Sequence, residues 1–353
     1  MEDILAYLQK KAKLIDNAIK KYIPKKMESS FAEWAFGRAS FSYDLDAMNQ
    51  SISRPIWDLL GRGGKGWRPA LFLLITEALG GNTEKVIDFS IVPELAHNGS
   101  LMVDDVEDRG EIRRGKPCIH KIFGTDVAIN AGNFMYFIPF LVFIKNRKNF
   151  DPKTLLKAYE AFSQEMINIH IGQGMDIWWH NGKDDVTEEQ YCQMCAYKTG
   201  TLARLSARLA AILSGGSSEQ EQRLGKMAEA IGVAFQIQDD ILSASGDKFA
   251  EKKGFGDDIT EGKRTLLVIH TLRNAPQEDR SRLIEILNMH TRDRGLIREA
   301  LDMLEKHGSI DHAKEFAKNL VQKAWSDVDP VLPASPAKEK IKDFAEFLIN
   351  REI

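Results

Sequence analysis

The sequence predicts an all-α protein organised as one large helical bundle. Three observations carry that expectation. Apolar residues recur at helical spacing in ten segments of the chain, and no stretch shows the strict alternation of a half-buried strand. The chain has 353 residues, 43% of them hydrophobic, which is enough for a sizeable core. Gly and Pro are spread along the chain rather than gathered in low-complexity tracts, and no internal repeat is visible.

The expected helices are 1–22, 68–80, 84–104, 153–180, 187–214, 220–243, 264–273, 296–305, 311–325 and 338–350. The first begins MEDILAYLQKK, which lacks the charged-then-apolar pattern of a secretory leader. After it comes an aromatic-rich stretch, Phe31 to Tyr43, that packs either on the bundle or on a second subunit. A glycine-rich turn follows at Gly61 to Pro69, GRGGKGWRP. It contains G-x-G-x-x-G, but the preceding ISRPIWDLL is not strand-like and no Ser or Thr follows Lys65. Neither a dinucleotide fingerprint nor a P-loop is therefore expected. What the turn offers is Lys65 and Arg68 at a helix start, where backbone N–H groups, the helix dipole and two cations suit a diphosphate. A basic interhelical turn is the plainer alternative.

The helix at 84–104 leads into Ser100 to Pro117, SLMVDDVEDRGEIRRGKP, around which the rest is organised. Five acidic side chains fall between Asp104 and Glu111, and Arg113 and Arg114 follow. Asp104 and Asp108 are four apart and share a helical face, so their charges repel unless something neutralises them. Hard cations do so through oxygen ligands, and Mg²⁺ binds through one or two carboxylates plus substrate phosphates. Carboxylates with arginines just beyond suggest a metal-bridged phosphate site. A solvated acidic helix end before a basic loop is the other reading. His97 and Ser100 share the face of Asp104, and His97 is either a substrate contact or a satisfied core histidine.

The longest apolar run, Phe134 to Ile144, is broken by Pro139 and flanked by Lys145 and Arg147. A bilayer takes roughly 20 residues to cross, so a core helix and no transmembrane segment are expected. Gln173 and Asp176 stand three apart on the helix at 153–180, with Trp178 and Trp179 read as packing. A capping box, Thr187 with Gln190, opens the helix at 187–214. Cys192 and Cys195 form a C-x-x-C without a second pair or a βαβ context, which reads as core packing rather than zinc or redox use. Lys198 and Thr199 precede Gly200; a buried Lys198 needs an anionic partner, either a phosphate or an acid such as Asp176. Gln236, Asp239, Asp240 and Ser243 share one face of the helix at 220–243, whose other sides are apolar. Aspartates are rarely buried without a partner. The organising hypothesis is that two aspartate-bearing helices face each other across a cavity and hold metal ions. A basic loop follows with Lys248, Lys252, Lys253, Lys263 and Arg264; it closes over an anionic ligand or is simply solvated.

The formal net charge of -3 gives no pull toward nucleic acid or acidic membranes. Three cysteines are too few for a disulfide scaffold, which fits a cytoplasmic location.

In chain order, GGKGWRP, HNGSLMVDDVEDRGEIRRGKP, GQGMD, YKTG, FQIQDDILSASGD and GDDITEGKRTLL resemble the motifs of the trans-type isoprenyl diphosphate synthases. The likeness is greatest to geranylgeranyl diphosphate synthases of the eukaryotic type. It runs from about residue 50 to the C-terminus, implying a synthase domain at 50–353 behind an unmatched helical extension at 1–49. The resemblance implies an isoprenoid synthase bundle with a central active-site cavity, a homodimer, and Mg²⁺, with three ions when substrate is bound. The implied reaction is the head-to-tail condensation of isopentenyl diphosphate with an allylic diphosphate.

Roles carry over by position as what the resemblance implies. Asp104 and Asp108 bind Mg²⁺ that bridges the allylic diphosphate, with Asp105 supporting, and Asp239 binds a further Mg²⁺ with Asp240 beside it. Arg113, Lys198 and Lys263 hold the allylic diphosphate, and Gln236 contacts the allylic side. The backbone at Lys198 and Thr199 faces the developing cation. Lys65, Arg68, His97 and Arg114 hold isopentenyl diphosphate, and Lys253 is the lysine of the closing loop. The chain departs from the common pattern at Ser243, which replaces the last acid of the second motif, and at Gly66, where many relatives have Arg.

In this family, bulk just before the first aspartate sets the channel floor. Gly99 and Ser100 are small, which implies a C20 product, with a longer or a farnesyl product as alternatives. Two rivals of other classes remain. A terpene cyclase has no use for the second cationic set. A non-catalytic regulatory subunit would be expected to lose the first-motif carboxylates that this chain keeps.

Overall fold

The structure, a computed structural model, describes residues 4–64, 66–244 and 256–349. Lys65, Lys248, Lys252 and Lys253 lie outside these residues. The described chain is helical apart from one pair of two-residue strands, in keeping with the expected all-α class. It divides into two compact units.

The first unit takes in Met1–Phe162, Leu205–Glu221 and Pro333–Ile341. Its helices are α1 (Ile4–Tyr22), α2 (Ser29–Phe36), α3 (Leu45–Met48), α4 (Arg54–Gly61), α5 (Trp67–Ala78), α6 (Thr83–Ser90) and α7 (Val92–Glu107). A hairpin of β1 (Ile112–Arg113) and β2 (Lys116–Pro117) follows, then α8 (Ile119–Phe123), α9 (Thr125–Phe137), α10 (Pro139–Asn146) and the start of α11 (Pro152–His180). The second unit takes in Ser163–Arg204, Gln222–Leu332 and Lys342–Ile353. It holds the rest of α11, α12 (Glu188–Cys195), the start of α13 (Thr201–Leu213), most of α14 (Ser218–Ala244), α15 (Asp257–Thr260), α16 (Leu266–Asn274), α17 (Gln277–Asn288), α18 (Arg294–Lys306) and α19 (Ser309–Val328). The last helix, α20 (Pro336–Ile349), has residues in both units.

At the centre of the first unit is α5. Every residue from Trp67 to Ala78 except Glu77 is buried, as expected of a helix apolar on all sides. The expected helix at 84–104 is two helices. Pro93 sits in the first turn of α7, where its missing N–H costs nothing, and the chain turns at Ile91 before it. The two meeting helices α7 and α9 approach through glycines. A Cβ on Gly99 would lie 2.8 Å from the Gly132 carbonyl oxygen and from Met135 Cβ, and one on Gly132 would lie 2.7 Å from Val103 Cγ2. Gly99 is therefore small because α9 packs on it, not because it lines an open channel.

Much of the stretch before residue 50 is held onto the first unit. The Tyr22 hydroxyl donates to Asp88 at 2.7 Å, Lys11 pairs with Glu77 at 2.8 Å, and the Trp34 ring lies 5.7 Å from that of Tyr22. Phe41 in the same stretch is 94% exposed. Thr125–Asn146 is long and apolar enough to cross a membrane by length and composition, and half of it is buried within the protein. The expected apolar run, Phe134 to Ile144, covers only the second half of this span, because α9 begins with polar residues such as Thr125, Asp126 and Asn130. Trp179 is buried as expected, but Trp178 is 71% exposed.

Candidate active site

In the first unit, α7 buries Glu94, Leu95, Asn98, Gly99, Met102 and Asp105 along one side. His97, Ser100, Asp104 and Asp108 fall on the opposite, half-buried side at three- and four-residue intervals. Asp108 closes the helix, its N–H bonded to the Asp104 carbonyl at 2.8 Å. Both carboxylates thus sit at the negative end of the helix dipole, where anions are disfavoured and a cation is favoured. Hard carboxylate oxygens one turn apart on an accessible face fit Mg²⁺. Among the described residues no three His, Cys, Asp or Glu side chains form a ready-made metal cage. A cation shared with substrate phosphates does not require one.

Asp105 is turned the other way and is 2% exposed. Its Oδ1 accepts from Arg113 Nε at 2.8 Å and Nη2 at 2.5 Å. Burial works against the Arg113 charge, but Asp105 outweighs it and holds the guanidinium firmly protonated. Cys118 is buried beside the same carboxylate, and burial with the Asp105 charge pushes its thiol up to about 12. Arg114 occupies the hairpin turn with a positive φ of 52°, followed by Gly115 at 72°. That conformation suits a two-residue turn between paired strands. It sends the Arg114 guanidinium back to the Leu59 carbonyl and to Asn98 Oδ1, both at 3.2 Å, while Asn98 donates to Glu94 at 3.0 Å. Arg68, at the start of α5, lies over the Trp67 ring at 4.5 Å. Burial, then the charges of Arg68, Arg114 and Arg113, hold His97 well below its usual pKa, so its imidazole is neutral at pH 7. On α9, burial and the charges of Asp104 and Glu107 raise the Tyr136 phenol.

In the second unit, Lys198 and Thr199 lie in a π turn, Ala196–Gly200, between α12 and α13. Glycines set that turn against its neighbours. A Cβ on Gly172 of α11 would lie 2.7 Å from the Tyr197 carbonyl carbon, and one on Gly232 of α14 would lie 2.6 Å from Gly200 Cα. The Lys198 ammonium pairs with Asp176, so the acid alternative for its partner is the one seen in the structure. Burial opposes the Asp176 charge, but Lys198 and Lys263 keep this carboxyl below its ordinary pKa. Thr199 Oγ1 donates to Gln236 at 2.9 Å, Gln236 donates to Asp240 at 2.9 Å, and the Tyr191 hydroxyl donates to Asp240 at 2.6 Å. Asp240 is buried, and burial together with the Asp258 charge pushes its carboxyl up to about 8. Asp239 and Ser243 are half-buried on the more open side of α14. Lys263 pairs with Glu261 and lies 4.0 Å from Asp258.

The structure therefore groups Arg68, His97, Arg113 and Arg114 in the first unit, and Lys198, Thr199, Gln236 and Asp240 in the second. Lys65 and Lys253 lie outside the described residues. Sequence reasoning missed Asn98 and Tyr191. Asn98 had a signal, since Glu94 is one turn before it and Asn98 stands in the same HNGSL run. Tyr191 had none, because its partner Asp240 is 49 residues away.

The family model for polyprenyl synthetases matches residues 49–304. A short chain isoprenyl diphosphate synthase of Methanothermobacter thermautotrophicus is 35% identical over 307 residues, 87% of this chain and 92% of that one. A geranylgeranyl pyrophosphate synthase of Dictyostelium discoideum is 34% identical over 306 residues, 87% and 96% of the two chains. Among solved structures, a geranylgeranyl pyrophosphate synthetase from Pyrococcus horikoshii Ot3 superposes with a TM-score of 0.86 at 32% identity, covering 99% of this chain and 98% of that chain.

Proposed function

The chain belongs to the polyprenyl synthetase family and is a prenyltransferase, and from that premise we propose that it condenses isopentenyl diphosphate with an allylic diphosphate to make geranylgeranyl diphosphate, using Mg²⁺. The observation that carries this reading is α7: Asp104 and Asp108 on its accessible side, at the cation-favouring end of the helix, with the Arg113–Arg114 hairpin directly after them. The C20 product is supported by relatives named for geranylgeranyl pyrophosphate synthesis.

In this reading Asp104, Asp108 and Asp239 hold Mg²⁺, and Arg113, Lys198 and Lys263 hold the allylic diphosphate. Bound Mg²⁺ supplies charge neutralisation that lets diphosphate leave. The guanidinium and ammonium groups add to it as preorganised cations in a water-poor site. Arg68, His97 and Arg114 orient isopentenyl diphosphate, with Lys65, so that its double bond lies against the allylic carbon. The allylic C–O bond breaks, the isopentenyl double bond donates its electrons to the new C–C bond, and a proton leaves to restore an alkene. The released diphosphate is the base on this reading. Gln236 and the backbone at Lys198 and Thr199 face the allylic side, where carbonyl dipoles favour the developing positive charge. Lys253, which lies outside the described residues, is assigned to the diphosphates by the family resemblance alone.

A homodimer in the cytoplasm completes the proposal. Exposed Phe137, Ile144, Leu156 and Tyr159 support a second copy packing there, and three free cysteines suit a reducing compartment. The test is incubation of the purified protein with Mg²⁺, isopentenyl diphosphate and, in turn, dimethylallyl, geranyl and farnesyl diphosphate. Products are dephosphorylated and sized by chromatography. A dominant C20 alcohol that disappears with EDTA and returns with Mg²⁺ is the expected result. Diphosphate release without elongation would point to a cyclase, and inactivity to a regulatory subunit.

A further inference from the structure

Arg62 belongs to none of the residue sets assigned above. It lies in the turn after α4, yet its side chain is 0% exposed. Nε and Nη2 donate to Asp58 Oδ1, one helical turn back, at 2.8 and 2.6 Å. Nη1 donates to the Arg113 carbonyl at 3.0 Å and lies 3.5 Å from the Lys116 carbonyl. Arg113 and Lys116 are the closing pair of the hairpin, and between them Arg114 holds a positive φ, a conformation unfavourable for a residue with a Cβ. A closed-off guanidinium is tolerated only when its donors are used, and only Arg has the planar fork to reach a carboxylate and two carbonyls together.

We infer that Arg62 is a positioning residue for prenyl transfer: anchored on Asp58, it clamps both ends of the hairpin and fixes where Arg113 and Arg114 present their guanidiniums. The inference rests on the reading of those two arginines as diphosphate contacts. It predicts a defect that falls more on substrate affinity than on the chemical step, because the bonds of Arg62 go to Asp58 and the hairpin backbone and it acts only through the two arginines.

The experiment compares wild type, Arg62→Gln and Arg62→Lys as full chains. KM for isopentenyl and geranyl diphosphate, kcat, the thermal melt and hydrogen–deuterium exchange at 112–117 are measured. Arg62→Gln should raise KM for both diphosphates about tenfold, the weight of lost bonds to a charged donor. Its kcat should change less, its melt should stay near wild type, and exchange at 112–117 should quicken. Arg62→Lys keeps the charge without the fork and should recover little of the KM. Wild-type KM in Arg62→Gln, or a lowered melt with KM unchanged, overturns the clamp. If Arg62→Gln does not fold, Asp58→Asn weakens the anchor while leaving Arg62 in place, and the same criteria apply. Absence of prenyl transfer in wild type would instead sink the functional reading itself.

Discussion

Replacing Gly172 by Ala should damage turnover more than stability. The new Cβ would stand 2.7 Å from the Tyr197 carbonyl carbon and 2.9 Å from Lys198 Cα, both backbone atoms that no rotamer change can move. Carbon atoms pack at about 3.5–4.0 Å, so α11 and the π turn must part by roughly 1 Å. Overpacking of this kind costs about 1–3 kcal/mol, which in a chain of 353 residues lowers the melt by about 1–4 °C. A 1 Å misplacement of positioning groups can cost on the order of 10²-fold in rate. Turnover should therefore collapse while the melt barely moves. Gly174→Ala is the control on the same helix. Its Cβ would meet nothing within 4 Å, and Ala is the better helix former by about 1 kcal/mol. Steady-state kinetics with geranyl diphosphate and a thermal melt read both variants. Wild-type kcat in Gly172→Ala would refute the argument that this contact places Lys198 and Thr199.

Asp104→Ala should lower kcat by orders of magnitude with an unchanged melt, and near-normal activity would remove the metal reading. Asp105→Ala should lower the melt as well, because it strands the Arg113 charge, a loss of up to about 3 kcal/mol for a partly buried pair. Ser100→Phe should shorten the product, sized as the dephosphorylated alcohol; an unchanged length would move the channel floor to another residue. His97 gives a pH dependence. Its folded pKa is depressed, so below about 6.5 the unfolded chain takes up the proton that the folded chain resists, and stability falls as pH drops, by at most about 1.4 kcal/mol per unit. The melt of His97→Gln should therefore lose less between pH 7.5 and 5.5 than that of wild type; parallel slopes would show that His97 protonates freely in the fold.

How far the fold could be read depends on helix length and on Pro. Long amphipathic segments such as α11, α14 and α19 were found to within about three residues, because a period of 3.6 is plain over many turns. Shorter helices such as α2, α4 and α8 were not, since one or two turns give a period nothing to repeat. Pro93 marks the break between α6 and α7 in the sequence itself, yet the apolar residues on both sides hid it. The meaning of Gly99 was also out of reach. A small residue beside an aspartate motif reads as room for substrate, and only α9 lying against it shows that the room is already taken.

The site was legible where spacing carries the information and opaque where partners come from elsewhere. Adjacent helical residues point about 100° apart. An Asp-Asp dipeptide on a helix therefore sends its two carboxylates toward different surroundings, and here the two divide the work. In α7, Asp104 shares its accessible side with Asp108 while Asp105 goes inward to Arg113. In α14, Asp239 stays on the more open side while Asp240 goes inward to Tyr191 and Gln236. The repeated pattern argues that each dipeptide pairs one presenting carboxylate with one anchor. The anchors differ in kind. Asp105 is held by an arginine that the reading assigns to substrate, so loss of either partner should disturb both binding and fold. Asp240 is held by a phenol and an amide, and the amide also bonds Thr199. Tyr191→Phe leaves Asp240 buried with one donor fewer and should reach the π turn through Gln236. A fall in kcat with an unchanged KM for isopentenyl diphosphate is expected from that route, whereas unaltered kinetics would confine Tyr191 to stability.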